Sequence, residues 1–298
     1  MAQDQFPPPP APRHRRRAIF WGVIVAIALL VLANAVFTDL DLSGDERIAL
    51  VRVEGVILDA QQTVGELKKY GEHPLVKAIV LRIDSPGGGV VPSQEIHDAV
   101  LRVRSKQHKT VIASMGSVAA SGGYYIAAAT DRIMANPGTL TGSIGVIMEL
   151  ANVEGLMKKI GVDSVVVKSG QHKDIGSPFR TMSAEDRRIL QSVMDDVHKQ
   201  FIEAVAEGRS LSVMDVQPIA DGRIFTGRQA KAAKLVDELG DLNDAIKLAA
   251  DLTGMEGEPK VVEPKKRFSI RDVIDGLTGV LPKLRFETGV SLKYLMAF

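Results

Sequence analysis

The structure that the sequence predicts is an α/β fold preceded by one membrane-spanning helix. Segments rich in Val and Ile alternate with segments of helical periodicity through residues 46–254, which is typical of a largely parallel sheet covered by helices. Residues 18–37 form an apolar run without a charge. The composition is otherwise ordinary, with 45% hydrophobic and 24% charged residues in a chain of 298, so a fibre or a wholly disordered chain is excluded.

The N-terminal region combines a basic tail with an apolar span. Residues 1–17 contain five prolines and four arginines, which predicts an extended, disordered tail. Residues 18–37 are long enough to reach about 30 Å as a helix, which is the thickness of the hydrocarbon core of a bilayer. Trp21 lies near the arginine end, where an interfacial aromatic residue is expected. We therefore predict a transmembrane anchor at 18–37.

The arginines also predict the orientation of the anchor. Positively charged flanks stay in the cytoplasm, so the tail should be cytoplasmic and everything after Phe37 should lie outside. Ala33-Asn34-Ala35 has the pattern of a signal-peptide cleavage site, so a cleaved signal peptide is the alternative interpretation. We interpret the span as an uncleaved anchor.

The first part of the region after the predicted anchor is predicted to contain two strand–helix units. Alternating residues predict a strand at 46–58, which a short helix at 63–70 follows. A buried strand at 76–83 then precedes a helix at 91–107. One face of that helix carries Ile96, Val100 and Val103.

The second half continues the alternation. Residues 110–114 predict a strand, and residues 183–207 predict a long helix that Ser183 caps together with Asp186. The inner stripe of the long helix consists of Leu190, Val193, Val197, Phe201 and Val205. The shorter elements between these two are helices at 121–129 and 153–160 and strands at 132–135 and 164–168.

The composition of the sequence changes after Gly254. Residues 256–267 contain two prolines and a Lys-Lys-Arg run, which indicates a linker. Ser269 then begins a short amphipathic helix whose polar face is mainly acidic, so docking on protein is favoured over a membrane surface. The apolar face of this helix consists of Ile270, Val273, Ile274 and Leu277. We divide the chain into a tail, an anchor, a body at 38–254 and a C-terminal segment at 255–298.

Charge and cysteine content exclude several classes of function. Lys plus Arg number 37 and Asp plus Glu number 36, so the net charge of +1 gives no argument for nucleic-acid binding. The absence of cysteine excludes disulfides, zinc–thiolate sites, iron–sulfur clusters and a cysteine nucleophile. The six histidines are scattered and form no His-Glu-x-x-His motif, which argues against a metal hydrolase.

A glycine-rich turn is the first segment that could carry chemistry. Residues 84–89 read Asp-Ser-Pro-Gly-Gly-Gly and follow the strand at 76–83. Consecutive glycines permit a positive φ and a close approach of backbone to a ligand. A phosphate loop is disfavoured because no Gly-Lys-Ser/Thr follows. The amide groups could form an oxyanion hole, and a plain strand-to-helix turn is the simpler alternative.

Two further segments could carry chemistry, and their candidate residues are Ser121 and Lys173. Ser121 lies at a strand-to-helix junction between small residues, where a helix N-terminus stabilises developing negative charge. A helix N-cap is the simpler interpretation of this serine. Lys173 lies in a loop at 170–178 and would act as a general base if an apolar site lowered its pKa. A solvated surface lysine is the simpler interpretation there.

A serine–histidine arrangement is an alternative to a serine–lysine pair. It would combine Ser121 with His172 and Asp174, or with His97 and Asp98. Another serine between glycines, Ser143, is interpreted as structural or as supporting the site.

Five segments in this order resemble the bacterial signal peptide peptidases of the SppA type. They are DSPGGG at 84–89, GSVAASGGYYIA at 116–127, TLTGSIGVI at 139–147, HKDIGSPFR at 172–180 and GRIFTGRQAKAAKLVDELG at 222–240. The resemblance covers residues 46–254. It implies a Clp-protease/crotonase-like fold of repeated β-β-α units and a serine peptidase activity without cofactor or metal.

The resemblance also implies roles for individual residues. Ser121 matches the nucleophile and Lys173 the general base of a Ser-Lys dyad. The amides of Gly88 and Gly122 match the oxyanion hole. Remnant signal peptides are the implied substrates, and no nucleic acid is implied.

The assembly and the location follow from the same resemblance. It implies a homo-oligomer in which neighbouring protomers supply the serine and the lysine of each site. It implies a single-pass protein of the bacterial inner membrane, held in the bilayer through residues 18–37 with its catalytic domain outside the cytoplasm. A crotonase-like acyl-thioester enzyme and an inactive membrane scaffold are the alternatives. The thioester enzyme is disfavoured because coenzyme A is cytosolic.

Overall fold

The computed structural model describes residues 45–264 and 293–295, together with Gly22. The predicted tail at 1–17, the rest of the predicted anchor at 18–37 and the predicted helix from Ser269 lie outside the described residues. Contacts divide the chain into the units Met1–Asp45 and Glu46–Phe298. In the part of the chain that is described, no helix is both long enough and apolar enough to cross a membrane.

The strands of the described residues form one large sheet and one small one. The strands are β1 (Arg47–Glu54), β2 (Val76–Ser85), β3 (Gly87–Gly89), β4 (Thr110–Ala120), β5 (Arg132–Ala135), β6 (Leu140–Gly142), β7 (Ile224–Thr226), β8 (Glu238–Leu239), β9 (Lys260–Val262) and β10 (Lys293–Leu295). The large sheet has the order β7-β6-β4-β2-β1-β9, and β5 pairs with both β4 and β8. Its pairings are parallel except between β6 and β7. The small sheet consists of β3 and β10.

Helices cover both faces of the large sheet. They are α1 (Gln61–Glu72), α2 (Val90–Lys106), α3 (Gly122–Ala128), α4 (Glu154–Lys159), α5 (Ala184–Arg209), α6 (Val213–Val216), α7 (Gly227–Ala232) and α8 (Leu242–Leu252), and a 3₁₀ turn spans Gln217–Ile219. Alternate residues of β1 enter two cores: Ala49 and Val51 pack with α1, α2, α3 and α5, whereas Ile48 and Leu50 pack with α8. The central strands are therefore buried on both sides, which explains their continuous apolar runs.

Several predicted elements are confirmed. The long helix is α5, and Ser183 and Asp186 form the predicted reciprocal cap, with the Asp186 amide donating to the Ser183 hydroxyl at 3.0 Å. Its stripe is buried at Val197, Phe201 and Val205, whereas Val193 is exposed. The predicted strand at 110–114 continues to Ala120 because its second half pairs with β6.

The predicted strand at 164–168 is wrong for this chain. Those residues form no strand, and Val165 and Val167 are 87% and 97% exposed. A strand needs a partner edge to satisfy its amides, and no strand of the described chain pairs with this run. The segment between β6 and α5 also exposes other large apolar side chains. We call the following set the apolar flank: Leu156, Ile160, Val165, Val167 and Phe179.

The region after Gly254 contains two strands that the sequence pattern did not predict. Strand β9 falls inside the predicted linker and pairs with β1 at the edge of the large sheet. Strand β10 pairs with the glycine turn. Both strands are three residues long, which is too short for an alternation pattern to be recognised.

Candidate active site

Ser121 lies at the point where β4 ends and α3 begins. Its backbone has φ 52° and ψ −117°, a conformation that costs a residue with a side chain roughly 1–3 kcal/mol. Its amide donates to the Gly142 carbonyl at 2.8 Å, and its own carbonyl accepts from the Tyr125 amide at 2.8 Å, so the conformation is held from both sides. The simple N-cap interpretation is wrong, because the side chain makes no capping hydrogen bond.

The hydroxyl of Ser121 is buried and unpaired. Its oxygen is shielded from solvent and has no hydrogen-bond partner among the described residues. A buried hydroxyl without a partner is costly and is therefore uncommon in structural positions. A strained serine at a sharp strand-to-helix turn is also the arrangement by which hydrolases present a nucleophile.

The glycine turn packs directly against this serine. Strands β2 and β4 are parallel neighbours, so the turn after β2 and Ser121 after β4 lie at the same edge of the sheet. Gly87 has φ 100°, and a Cβ placed on it would come within 2.7 Å of the Gly122 amide nitrogen. The predicted site residues Gly88, Ser121 and Gly122 are thus brought together around one point.

Hydrogen bonds hold the glycine turn in place. Ile57 donates to the Gly87 carbonyl at 2.9 Å and accepts from the Gly89 amide at 2.8 Å. A Cβ on Gly88 would overlap the backbone of Ile57, so only glycine fits there. The buried Ser93 hydroxyl donates to the Gly89 carbonyl at 2.8 Å, and the Ser85 hydroxyl accepts from the Gly87 amide at 3.1 Å.

Sequence reasoning missed these supporting residues. Ser93 lies four residues after Gly89, one helical turn into α2, and this spacing was the signal that could have found it. Ile57 gave no such signal, because its contact with the turn depends on how the chain folds back after β1.

Lys173 is exposed in the loop between α4 and α5. Its amide donates to the Gly170 carbonyl at 3.2 Å, which closes a local turn. The structure does not bring Lys173 to Ser121 within the chain, since the Ser121 hydroxyl has no partner there. The neighbouring Asp174 is held by Arg180 and Lys168, and hydrogen bonds from these two side chains keep its pKa well below the usual range.

Neither serine–histidine arrangement forms in the described chain. The imidazole of His172 faces Asp186 at 3.6 Å and Glu185 at 3.7 Å, and not Asp174. The imidazole of His97 is buried beside Asp98 at 3.5 Å, and burial lowers its pKa despite that carboxylate.

Ser143 and the metal-binding potential of the acidic and histidine side chains remain to be placed. Ser143 follows β6 with φ 51°, is buried, and donates its amide to the Arg223 carbonyl at 2.8 Å. Within residues 45–264 and 293–295, no cluster of three or more His, Asp or Glu side chains could hold a metal ion. The geometry around Ser121 supports nucleophilic attack by its hydroxyl.

A buried serine in strained backbone, packed beside a glycine turn at a strand-to-helix junction, is typical of the class of serine hydrolases. Comparison with known proteins identifies the family. Residues 103–256 match Peptidase family S49. A candidate protease of Synechocystis sp. is 44% identical over 238 residues, which cover 80% of this chain and 84% of that protein.

Two further relatives are named for peptidase activity. A candidate signal peptide peptidase SppA of Enterococcus faecium is 36% identical over 217 residues, which cover 68% of this chain and 63% of the relative. Protease 4 of Salmonella typhi is 36% identical over 249 residues, which cover 78% of this chain and 39% of the relative. The chain therefore belongs to Peptidase family S49 and is a serine peptidase of the SppA type. Its mainly parallel α/β sheet fits a Clp-protease-like fold.

Proposed function

We propose that this protein is a membrane-anchored serine endopeptidase of the Ser-Lys type that cleaves remnant signal peptides. Ser121 is the nucleophile and Lys173 of a neighbouring subunit is the general base. The observation that carries the proposal is the Ser121 hydroxyl, which is buried, unpaired and held in strained backbone.

The amides of Gly88 and Gly122 form the oxyanion hole in this proposal. Gly122 is the first residue of α3, so its amide has no partner within the helix and carries the positive end of the helix dipole. The turn geometry supports the role of Gly88. The Gly87 carbonyl and the Gly89 amide bond to Ile57, so the Gly88 amide between them faces away from Ile57. An N–H donor of this kind typically accelerates acyl transfer about 10²- to 10³-fold.

The proposed base comes from a second copy of the chain. A free lysine has a pKa of about 10.4 and is a poor base at neutral pH. Lys173 is exposed in the single chain, and the apolar flank beside it in sequence is exposed as well. If a neighbouring subunit covers this surface, the side chain of Lys173 is transferred from water into an apolar contact, where the charged form of a lysine is costly and its neutral amine can act as a base.

The reaction then proceeds through an acyl-enzyme. The neutral amine of Lys173 takes the proton of Ser121 as its oxygen attacks the peptide carbonyl. The amides of Gly88 and Gly122 stabilise the tetrahedral oxyanion. The Lys173 ammonium returns the proton to the leaving amine, and water later attacks the acyl-enzyme with the lysine again as base.

The proposed membrane location fits the proposed substrate class. The arginine-flanked run at 18–37 would hold the peptidase outside the cytoplasm at the inner membrane, where released signal peptides remain. A reporter fused after Phe298 should be active only outside the cytoplasm. A cytoplasmic signal would contradict this orientation, and a soluble species beginning at Val36 would favour a cleaved signal peptide.

Labelling with a fluorophosphonate tests the dyad. Full-length protein in detergent should react, and Ser121→Ala and Lys173→Ala should reduce labelling and peptide cleavage to background. Lys159→Ala, on the exposed side of α4, and His172→Ala should retain most of both. Normal labelling of Lys173→Ala with loss in His172→Ala would replace the dyad by a serine–histidine pair.

Mixing inactive variants tests the shared site. Ser121→Ala and Lys173→Ala protomers should regain part of the wild-type activity together, because one intact pair forms at a mixed interface. Subunit exchange is verified first with two affinity tags. Exchange without recovered activity would mean that each chain supplies its own base.

A further inference from the structure

Strand β4 contains a bulge shortly before Ser121. Its register with β2 shifts there, because Ile83 pairs with Met115 whereas Ser85 pairs with Ala119. A single residue of β2, Asp84, therefore lies opposite residues 116–118, which we call the β4 bulge. Extra residues of this kind lack ladder partners and change the direction of a strand, and they are frequent next to active sites.

Strand β4 changes its neighbour at this bulge. On the side away from β2, residues 112–115 pair with β5, and residues 118–120 pair with β6. The Ser121 amide continues the second pairing by donating to the Gly142 carbonyl at 2.8 Å. The conformation of the β4 bulge therefore decides where the strand delivers Ser121.

Asp84 supplies the bond that the ladder lacks on the β2 side. Its carboxylate accepts from the Val118 amide at 3.0 Å. Its own carbonyl accepts from the Gly55 amide at 3.0 Å, so the backbone that carries the carboxylate is tied to the end of β1. A Cβ on Gly116 would come within 2.7 Å of the Asp84 Cγ. The carboxylate and the β4 bulge are thus packed against each other as well as bonded.

Threonine hydroxyls hold the other side of the β4 bulge. The buried Thr139 side chain donates to the Gly116 carbonyl at 2.7 Å, and the buried Thr141 side chain donates to the Ala119 carbonyl at 2.6 Å. Asp84, in contrast, is exposed. Its carboxylate is therefore the support on the side where water competes for the Val118 amide.

The backbone after the β4 bulge has little room to adjust. A Cβ on Gly123 would come within 3.0 Å of the Ser85 carbonyl oxygen, and one on Gly87 within 2.7 Å of the Gly122 nitrogen. A shift of β4 would change these close contacts between the serine and the glycine turn. Because a misplacement of about 1 Å between reacting groups can reduce a rate about 10²-fold, the support of the β4 bulge bears on the reaction.

We infer that Asp84 is a positioning residue of the peptidase, whose carboxylate holds the β4 bulge and so sets the place of the Ser121 hydroxyl beside the glycine turn. The inference rests on the proposed function for the role of Ser121. It requires an acceptor oxygen at this position and not a negative charge. Asparagine retains such an oxygen, whereas alanine does not.

Fluorophosphonate labelling of the full-length protein in detergent tests this role. Asp84→Ala should lower the second-order labelling rate at least about 10-fold, because the hydroxyl is misplaced. Asp84→Asn should stay within about 2-fold of the wild type, since its amide oxygen accepts the same bond. The matched control is Glu54→Ala, which should also stay within about 2-fold. Glu54 is the register partner of Asp84 on β1, and β2 separates it from β4.

The folded state of each variant is checked first. Circular dichroism melting curves set an assay temperature at which all variants are folded. If Asp84→Ala melts too low, Asp84→Ser replaces it, because it keeps this exposed site polar while its hydroxyl lies one bond short of the carboxylate oxygens. Labelling of the folded variant at the wild-type rate would overturn the inference. Labelling of Asp84→Asn as slow as that of Asp84→Ala would also overturn it, because charge and not the accepted bond would then matter.

Peptide cleavage separates positioning of the nucleophile from binding of the substrate. Asp84→Ala should lower kcat at least about 10-fold and change KM by less than about 2-fold, because the interaction acts on the reacting serine. A loss confined to KM would overturn the positioning role.

Hydrogen exchange distinguishes failure of this inference from failure of the proposed function. The peptide that contains Val118 should exchange at least about 10-fold faster in Asp84→Ala than in the wild type, and Asp84→Asn should exchange like the wild type. Faster exchange in Asp84→Ala, with labelling that Ser121→Ala does not abolish, would leave the bond in place and remove the proposed nucleophile. Labelling that requires Ser121 and is unaffected by Asp84→Ala would retain the peptidase and reject the positioning role.

Discussion

The backbone of Ser121 is strained, and the same residue carries a buried hydroxyl that has no hydrogen-bond partner among the described residues. Glycine adopts φ 52° without the steric cost that a Cβ imposes, whereas alanine bears the same cost as serine. Ser121→Gly should therefore be more stable than Ser121→Ala by about 1 kcal/mol, after the entropic cost of glycine is subtracted. Urea denaturation of the two inactive variants measures this difference. Equal stabilities would show that the site is unstrained.

Gly122 is required by close packing as well as by the oxyanion role that we propose for its amide. A Cβ there would come within 2.5 Å of the Ser93 hydroxyl oxygen. Gly122→Ala should displace the amide and lower the fluorophosphonate labelling rate by about 100-fold, which is the usual effect of losing one oxyanion donor.

The same contact suggests a rescue. Ser93→Ala/Gly122→Ala should recover part of the lost labelling rate, because the nearest atom to the new methyl group is removed. Gly138→Ala is the matched control, since a Cβ there meets nothing within 4 Å. A double variant no faster than Gly122→Ala would show that other contacts, such as that with Gly87, dominate the displacement.

At the scale of elements, one ion pair ties the end of α5 to the segment that enters β8. Arg209 and Asp237 share two hydrogen bonds, at 2.9 and 2.7 Å, and their side chains are 7% and 24% exposed. Asp237 also accepts from the Ile133 amide at 2.7 Å. Asp237→Ala leaves Arg209 buried without its partner and should cost about 2–3 kcal/mol in the free energy of unfolding. The exposed pair Asp221–Arg223 is the control, and Asp221→Ala should cost less than about 1 kcal/mol.

The same pair predicts a pH dependence of stability. Burial opposes ionisation of Asp237, but the hydrogen bonds from Arg209 and Ile133 outweigh it and lower its pKa below the usual 3.8. As the pH falls, Asp237 is protonated in the unfolded chain before it is protonated in the folded chain. The stabilisation by its carboxylate is therefore complete above the unfolded pKa of 3.8 and is lost as the pH falls through the lower pKa of the folded state. The stability of Asp237→Ala should decline less than that of the wild type in this range. Parallel declines in denaturation curves would contradict the assignment.

At the scale of the whole molecule, the apolar flank is a surface that the described part of the chain leaves uncovered. Val167 is 97% exposed in a run whose composition is that of a strand. Val167→Asp should weaken self-association of the detergent-solubilised protein and reduce its peptidase activity at least about 10-fold, because burying a charge there is costly. Met214→Asp, at a site that is 82% exposed on α6, should change neither. Sedimentation velocity and peptide cleavage measure both effects, and unchanged association of Val167→Asp would exclude the flank from the interface.

The sequence by itself determined the elements whose signals are local. Periodicity identified the central strands and α5, and the Ser183–Asp186 cap followed from residue types three positions apart. The resemblance to a known family supplied Gly88, Ser121 and Gly122 as candidate site residues, and the structure places them near one another because the parallel neighbours β2 and β4 end at the same edge of the sheet. Short strands such as β9 and β10 were not predictable, since three residues carry no recognisable pattern.

Only the tertiary structure decided what depends on distant contacts. It left the run at 164–168 without a partner edge, although its composition favours a strand. It left Lys173 exposed and apart from Ser121. It also laid Tyr294 across the glycine turn, more than two hundred residues away in sequence, where three aromatic rings meet. The physical reason is that backbone pairing and ring packing depend on which surfaces the folded chain brings face to face, and local sequence does not encode that choice.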